Sequence, residues 1–368
     1  MKIFNIIGAI LVFSAVLSLG NLTYSQPNLP GQDLANDIEI MEIVLDKLIS
    51  PEQGNFPFFG SNTRGYYLAN YGVIFDVRYS FLNRGFISFG INQRFQIKEN
   101  NLIVIDEQKE EKQLTDEVGK DIEKLKKSLV KFLSLWTTAL SDLHPDEKVA
   151  VIVDFNGFVP SITSAIDFST HKLVASVPIR EITNMRKSSI TLSEFEKKVD
   201  FDEKNSQDED ISIFSKVIQA SLEHSDQKMD FGITGNVKGI YFNGYGAIFF
   251  TDVSFGSNLF TIYSEAFRKG RDHSVSITAP PADQVAKSAK NLEKVEQKLI
   301  QVISNYGHNL KALQPNEWVE IAINFKGIPM KENYSKSILR VQKKFIDEYN
   351  RDRLNFDQFK KMVKATYY

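Results

Sequence analysis

The sequence predicts an α+β protein of two tandem homologous domains, each an antiparallel sheet packed against a long amphipathic helix. Three observations predict this: an internal repeat, a sustained alternation of apolar residues, and a helical stripe that occurs twice. Gly65 to Phe75 returns as Gly239 to Phe249 with six of eleven positions identical. Leu143 to Gly157 matches Leu313 to Gly327 with six identities in fifteen. Asp37 to Met41 matches Asp210 to Phe214, and Leu192 to Val199 matches Phe356 to Val363, keeping Phe195/Phe359, Lys197/Lys361 and Val199/Val363. The offset falls from 174 to 170 to 164, so the copies differ by small deletions. A period this long is that of a domain, well above the repeat length of a solenoid.

The chain begins with Lys2, an apolar run from Ile3 to Leu19, and small or polar residues through Ser25. This is the layout of a secretory signal peptide over residues 1–25, with the mature protein expected to be exported, periplasmic or secreted. Repeat domain 1 is expected over 33–199, an acidic linker over 200–209 and repeat domain 2 over 210–368. Within each domain the order reads helix, strands, long helix, hairpin, helix. The opening helix carries Ile38, Met41, Val44, Leu45 and Leu48 on one face, and Ile211, Phe214, Val217, Ile218 and Leu222 in the second copy. Pro51 and Gly54 end the first of these helices.

From Tyr67 to Phe81 every odd position is apolar or aromatic. Asn70, Gly72, Asp76, Arg78 and Ser80 occupy even positions. A period of two held this long predicts a strand with one wet face, then a turn at Asn83-Arg84-Gly85 and a second strand through Ile87, Phe89, Ile91, Phe95 and Ile97. Next come Val118, Ile122, Leu125, Leu129, Phe132, Trp136 and Leu140, at helical spacing. Leu292, Val295, Leu299, Val302 and Tyr306 do the same in the second copy. A helix with this stripe covers the apolar face of its own sheet. Val149 to Phe155 then alternates up to Asn156-Gly157, a hairpin signal. The segment from Asp200 to Asp210 is polar and acidic enough to read as a solvated linker.

Composition narrows the function. There are no cysteines among 368 residues, which excludes disulfides, thiol nucleophiles and cysteine-bound zinc. Lys and Arg number 44 against 46 Asp and Glu, so no basic field for nucleic acid is present. After leader removal no stretch is expected to span a membrane. The 28 phenylalanines point to aromatic-rich cores.

Chemistry-bearing residues form no repeated set. None of His144, His171, His224, His273 and His308 meets a histidine in the other copy, and no pair has metal-ligand spacing. Asp76 matches Phe250, and Asp154 matches Asn324. No phosphate-cradling loop, dinucleotide fingerprint or serine elbow occurs. No metal or cofactor is expected. Gly72 and Gly246, each inside a strand, mark either a bulge or a close approach of a ligand or partner chain. With Tyr71 and Tyr245 they are the candidate ligand- or partner-binding residues. The basic amphipathic stretch from Lys343 to Lys364 reads as a packed helix with a solvated face.

Tyr67-Leu68, Tyr71-Gly72 and Phe75 together make a Tyr-Leu-x-x-Tyr-Gly-x-x-Phe pattern. It resembles a motif in exported bacterial proteins of uncharacterised function, and the resemblance implies a bacterial, exported setting while carrying no known activity and no catalytic residue. Because no chemical constellation is repeated between the copies, function is expected to be non-catalytic: binding or interaction within the cell envelope, with a partner protein there or a small ligand in the interdomain cleft. The alternative is a hydrolase with one site in that cleft and one degenerate copy. A concave pocket gathering two or more of Asp76, Asp154, His144, His171 and Arg78 within hydrogen-bonding distance would favour the hydrolase.

Overall fold

The computed structural model describes residues 32–49, 63–80, 95–98, 101–104, 107–140, 142–156, 171–205, 208–223, 231–255, 282–327 and 334–367. Helix α1 (Gln32–Ile49) forms because Leu34, Ile38, Met41, Leu45 and Ile49 recur every three or four residues, and all five are buried. It packs on β1 (Thr63–Leu68), which pairs antiparallel with β2 (Gly72–Ser80). The alternation that reads as one strand from Tyr67 onward is thus two strands. Between them lies a tight turn, in which Asn70 takes a φ of 69° and the Tyr71 N–H donates to the Leu68 carbonyl at 2.9 Å. The turn is invisible to periodicity for a geometric reason. Tyr67 faces Val73 and Leu68 faces Gly72, so odd residues stay on one face through the reversal.

The wet face predicted for these strands is also dry. Odd residues Val73, Phe75 and Val77 pack towards α1 and α2 (Glu107–Lys131), whereas Tyr66, Leu68 and Ile74 join a core on the opposite side. That second core contains Ile240, Phe242, Ile248 and Phe250 from the other half of the chain. Two sheets therefore lie face to face, each with helices on its outer side. An alternating strand that meets a second sheet buries both faces, and even its polar positions then have to find partners.

Helix α2 runs on into a π-helical turn, Phe132–Trp136, and a 3₁₀ turn, Thr137–Ala139. It returns the chain to β5 (Lys148–Asn156), which lies parallel to β2. The sheets are thus mixed, not antiparallel as expected, because a long helix between two strands is the crossover that parallel pairing needs. Then follow β6 (His171–Pro178), α3 (Ile179–Arg186), α4 (Leu192–Glu196) and β7 (Asp200–Asn205). The order across the sheet is β1-β2-β5-β6-β7. Strands β3 (Phe95–Lys98) and β4 (Asn101–Val104) pair only with each other.

Residues 200–205 are not linker but the edge strand β7. Their charges suit an edge, and Phe201 packs against the core of the first half.

The second half runs α5 (Glu209–Glu223), β8 (Phe231–Ile233), β9 (Lys238–Phe242), β10 (Gly246–Phe255) and α6 (Ala282–Tyr306). It continues through β11 (Trp318–Gly327), β12 (Lys336–Gln342), α7 (Lys343–Asn350), α8 (Phe356–Met362) and β13 (Lys364–Tyr367). Its order is β13-β12-β11-β10-β8, with β9 also on β10, and β10 and β11 are parallel. No helix among the described residues is long and apolar enough to cross a membrane. The leader over 1–25, Pro51, Gly54, the turn at Asn83–Gly85 with the strand after it as far as Ile91, and Gly157 lie outside the described residues, while Phe95 and Ile97 stand in β3.

Candidate functional site between the sheets

Where the two sheets meet, charged residues are enclosed with the apolar ones. Arg64 of β1 reaches across to Asp252 of β10, with Nη2 2.6 Å from Oδ2. Arg78 of β2 meets the same oxygen at 3.2 Å, and the Asn324 side-chain amide donates to Oδ1 at 3.1 Å. Lys238 of β9 forms an ion pair with Asp154 of β5. Asp76 stands in the field of Lys238, Asp154, Arg64 and Arg78, and burial pushes its carboxyl above the usual range. Burial likewise lowers the Lys172 ammonium. The side chains of Asp252, Asp154 and Arg64 are 0, 5 and 8% exposed.

A second set of contacts is reciprocal between the halves. The Lys172 ammonium on β6 donates to the carbonyl of Gly239 on β9. The Lys336 ammonium on β12 donates to the carbonyl of Gly65 on β1 at 3.1 Å, and also pairs with Glu42 of α1. Lys172 and Lys336 fall at matching places in the two halves, and so do Gly65 and Gly239. The two lysine-to-glycine carbonyl contacts mirror each other, as in an isologous interface, whereas the Lys336–Glu42 pair occurs in one direction only, Ser215 standing at the place that matches Glu42. The glycines are required for packing. A Cβ on Gly65 would come within 2.4 Å of Ile38 and 2.9 Å of Phe75, and one on Gly239 within 2.5 Å of Ile211 and 2.8 Å of Phe249.

Tyr71, Gly72, Tyr245 and Gly246, the residues picked out from sequence, also meet here. The Tyr71 and Tyr245 rings pack edge to face with centroids 4.9 Å apart, and Tyr71 lies 5.2 Å from the Phe242 ring. The Tyr245 hydroxyl donates to Glu320 Oε1 at 2.9 Å. Burial raises the Tyr71 hydroxyl pKa well above its ordinary value. Gly72 and Gly246 have φ of 120° and 142°. What approaches them closely is the neighbouring strand of the same half, since an added Cβ would lie 2.0 Å from the Lys148 or Trp318 carbonyl oxygen.

Beside the tyrosines, Glu320 and Arg340 are both buried, with Arg340 Nε 3.2 Å from Oε1 and its guanidinium 3.8 Å from the centre of the Trp318 ring. Burial raises the Glu320 carboxyl, with Arg340 acting against it. The Arg340 Nη1 group donates to the Ala69 carbonyl at 3.2 Å, again across the halves.

Beside this interface an acid does occupy matching places in the two halves, and sequence reasoning passed over it. Glu147 accepts from the His144 N–H and the Tyr67 hydroxyl, both at 2.8 Å. Glu317 accepts from the Gln314 N–H at 2.8 Å and the Tyr241 hydroxyl at 3.1 Å. The signal was present in the repeated Leu-x-Pro-x-Glu of 143–147 and 313–317. The carboxylate clamps the loop before β5 or β11 to the first strand of its sheet, which is a structural task.

Of the residues whose gathering would favour a hydrolase, Asp76, Asp154 and Arg78 share the buried cluster. His144 sits apart on an exposed loop, its side chain 70% exposed. Only the backbone of His171, at the start of β6, is described. No group of three or more metal-ligating side chains occurs among the described residues. The cluster can neutralise charge and fix the register of the two sheets.

No known family profile and no curated protein matches the chain. A solved structure, titled as the crystal structure of sex pheromone staph-cAM373 precursor, aligns with 91% of this chain and 92% of its own at 10% identity. Its TM-score of 0.19 is too low to assign fold or role.

Proposed function

We propose that this is an exported, non-catalytic binding protein of the cell envelope, built from a duplicated domain whose two copies form one scaffold. The observation that carries this reading is the pairing of buried charges across the halves. Arg64 and Arg78 are spent on Asp252, Lys238 on Asp154, and Lys336 on Glu42. Side chains that a hydrolase would turn towards water are committed to holding two sheets together. The duplication is supported by a run that both halves share (helix, antiparallel strand pair, long helix, two strands, two short helices, edge strand), although β3–β4 belong to the first half and β8 to the second, and by registers that repeat, with Gly72 opposite Lys148 and Gly246 opposite Trp318.

The hydrolase reading draws on one observation, the gathering of Asp76 and Asp154 with a raised Asp76 pKa. A panel of ester, phosphate and glycoside substrates separates the two. The binding reading expects no turnover by the intact chain above that of the Asp76→Asn/Asp154→Asn variant. Turnover that the two substitutions abolish in a still-folded protein would establish the hydrolase instead.

A further inference from the structure

Away from the interface, the second half carries an open cleft of about 460 Å³ between the last turn of α6 and the α7–α8 connection. Its volume falls in the range of small-ligand sites. The lining is particular in kind. Tyr349 and Phe356 bring aromatic rings, 6.4 Å apart and steeply inclined, and Phe356 is 37% exposed. Asn305, Asn350 and Asn355 bring three carboxamides, and Asp352 one carboxylate.

These polar groups are partly spent, Asn305 Oδ1 accepting from the Ser304 hydroxyl at 3.3 Å. The side chains of Asn350 and Asp352 make no hydrogen bond or ion pair within the described protein. Asn355 uses its oxygen to accept the Gln358 N–H at 2.9 Å, which leaves its NH₂ group as a donor. Neither lysine nor arginine lines the cleft, and Asp352 adds negative charge, so a phosphate or carboxylate ligand is disfavoured. Leu354 is the one aliphatic side chain lining it, too little for a lipid tail. Ring faces beside bifunctional amides suit a ligand with apolar C–H faces and a dense rim of hydroxyls.

We propose that this cleft binds a neutral saccharide, one or two sugar rings packing on Phe356 and Tyr349 with hydroxyl or acetamido groups on Asn350, Asn355 and Asp352. The inference rests on the binding reading given above and names its ligand class. In the first half, a cleft of about 290 Å³ lies between the end of the long helix and α3. Its lining of Thr137, Thr138, Asp142, Thr183 and Arg186 with aliphatic residues includes no aromatic ring. Of these two clefts the sugar is therefore assigned to the one in the second half.

The test is calorimetric titration of the full mature chain with chitotetraose, cellotetraose and, as a stacking ligand without a sugar polymer, adenosine. One saturating site for either oligosaccharide is expected, weakened roughly tenfold or more by Phe356→Ala and by Asn350→Ala. Both positions are at the surface, and circular dichroism verifies that each variant is folded. Absence of saturable oligosaccharide binding up to roughly 10 mM, binding that neither substitution weakens, or preference for adenosine would each overturn the proposal. Mass analysis of the recovered sugar keeps the two readings apart. Intact, unbound sugar sinks only this inference, whereas cleavage lost with Asp76→Asn/Asp154→Asn sinks the non-catalytic reading.

Discussion

At Gly72 and Gly246 a methyl group would stand 2.0 Å from a backbone carbonyl oxygen, and both residues already occupy a backbone region closed to ordinary side chains. Neither problem can be relieved by moving a flexible side chain. Gly72→Ala is expected to destabilise by roughly 3 kcal/mol or more, read from the urea midpoint. Gly119→Ala is the control, because nothing lies within 4 Å of its added Cβ and it sits exposed within α2. That change should stabilise by about 1 kcal/mol through helix propensity. Asp252 makes the complementary point about charge. Asp252→Asn leaves Arg64 and Arg78 enclosed without their counter-ion, and a loss of about 3–5 kcal/mol is expected. A loss below about 1 kcal/mol would mean that water already reaches these arginines. The glycines were visible in the sequence as oddities inside strands, yet their reason was not, because the approaching backbone comes from a strand more than seventy residues away. Asp252 gave no signal at all, since its partners lie in the other half of the chain.

Among the elements, the edge strands β7 and β13 are fastened to the long helices in two different ways. In the first half, Lys126 on α2 pairs with Glu203 on β7 at 3.2 Å and lies 5.9 Å from the centre of the Phe201 ring. At the matching place on α6 stands Glu296, which accepts from the Tyr367 hydroxyl of β13 at 3.0 Å. Among the described residues no cation stands against the buried Glu296, and burial lifts its pKa from 4.5 to about 7. A carboxyl raised in this way contributes fully below its unfolded pKa of 4.5, and the contribution is lost as pH rises through about 7. Wild type and Glu296→Gln should therefore melt alike near pH 5. By pH 8 to 9 the variant should be the more stable, by on the order of 3 kcal/mol. A gap that is constant between those pH values would contradict the assignment.

Helices α1, α2, α5 and α6 were legible from their stripes, because each has one face on a sheet and one in water. The β1–β2 turn was not, because the register carries the alternation through it unbroken. Parallel pairing was legible in principle from the long helix between β2 and β5, though the hydrophobic pattern alone does not reveal strand direction. β7 was missed because charge on an edge strand looks the same as charge on a linker.

At the scale of the whole molecule, the even-numbered strand positions decide the architecture. Read alone, Asp76, Arg78 and Asn70 suggest a face in water, and a single half with that face would be complete. The structure instead presses the two faces together, with Ile74, Ile152, Ile248 and Phe250 in a shared core and ion pairs around it. A half separated from the other would expose this core and strand its charges, so neither half should be stable alone. That is the central claim, and the chain carries its own reporters. Its two tryptophans lie one in each half, Trp136 at the end of α2 and Trp318 at the start of β11. The decisive measurement is urea unfolding of Trp318→Phe, which reports the first half, beside Trp136→Phe, which reports the second. Interlocked halves predict that, once each variant's own stability is matched to far-ultraviolet circular dichroism of the whole chain, fluorescence and dichroism fall together in one transition. A tryptophan signal that completes its change while half of the dichroism remains would show two independent domains and contradict the account.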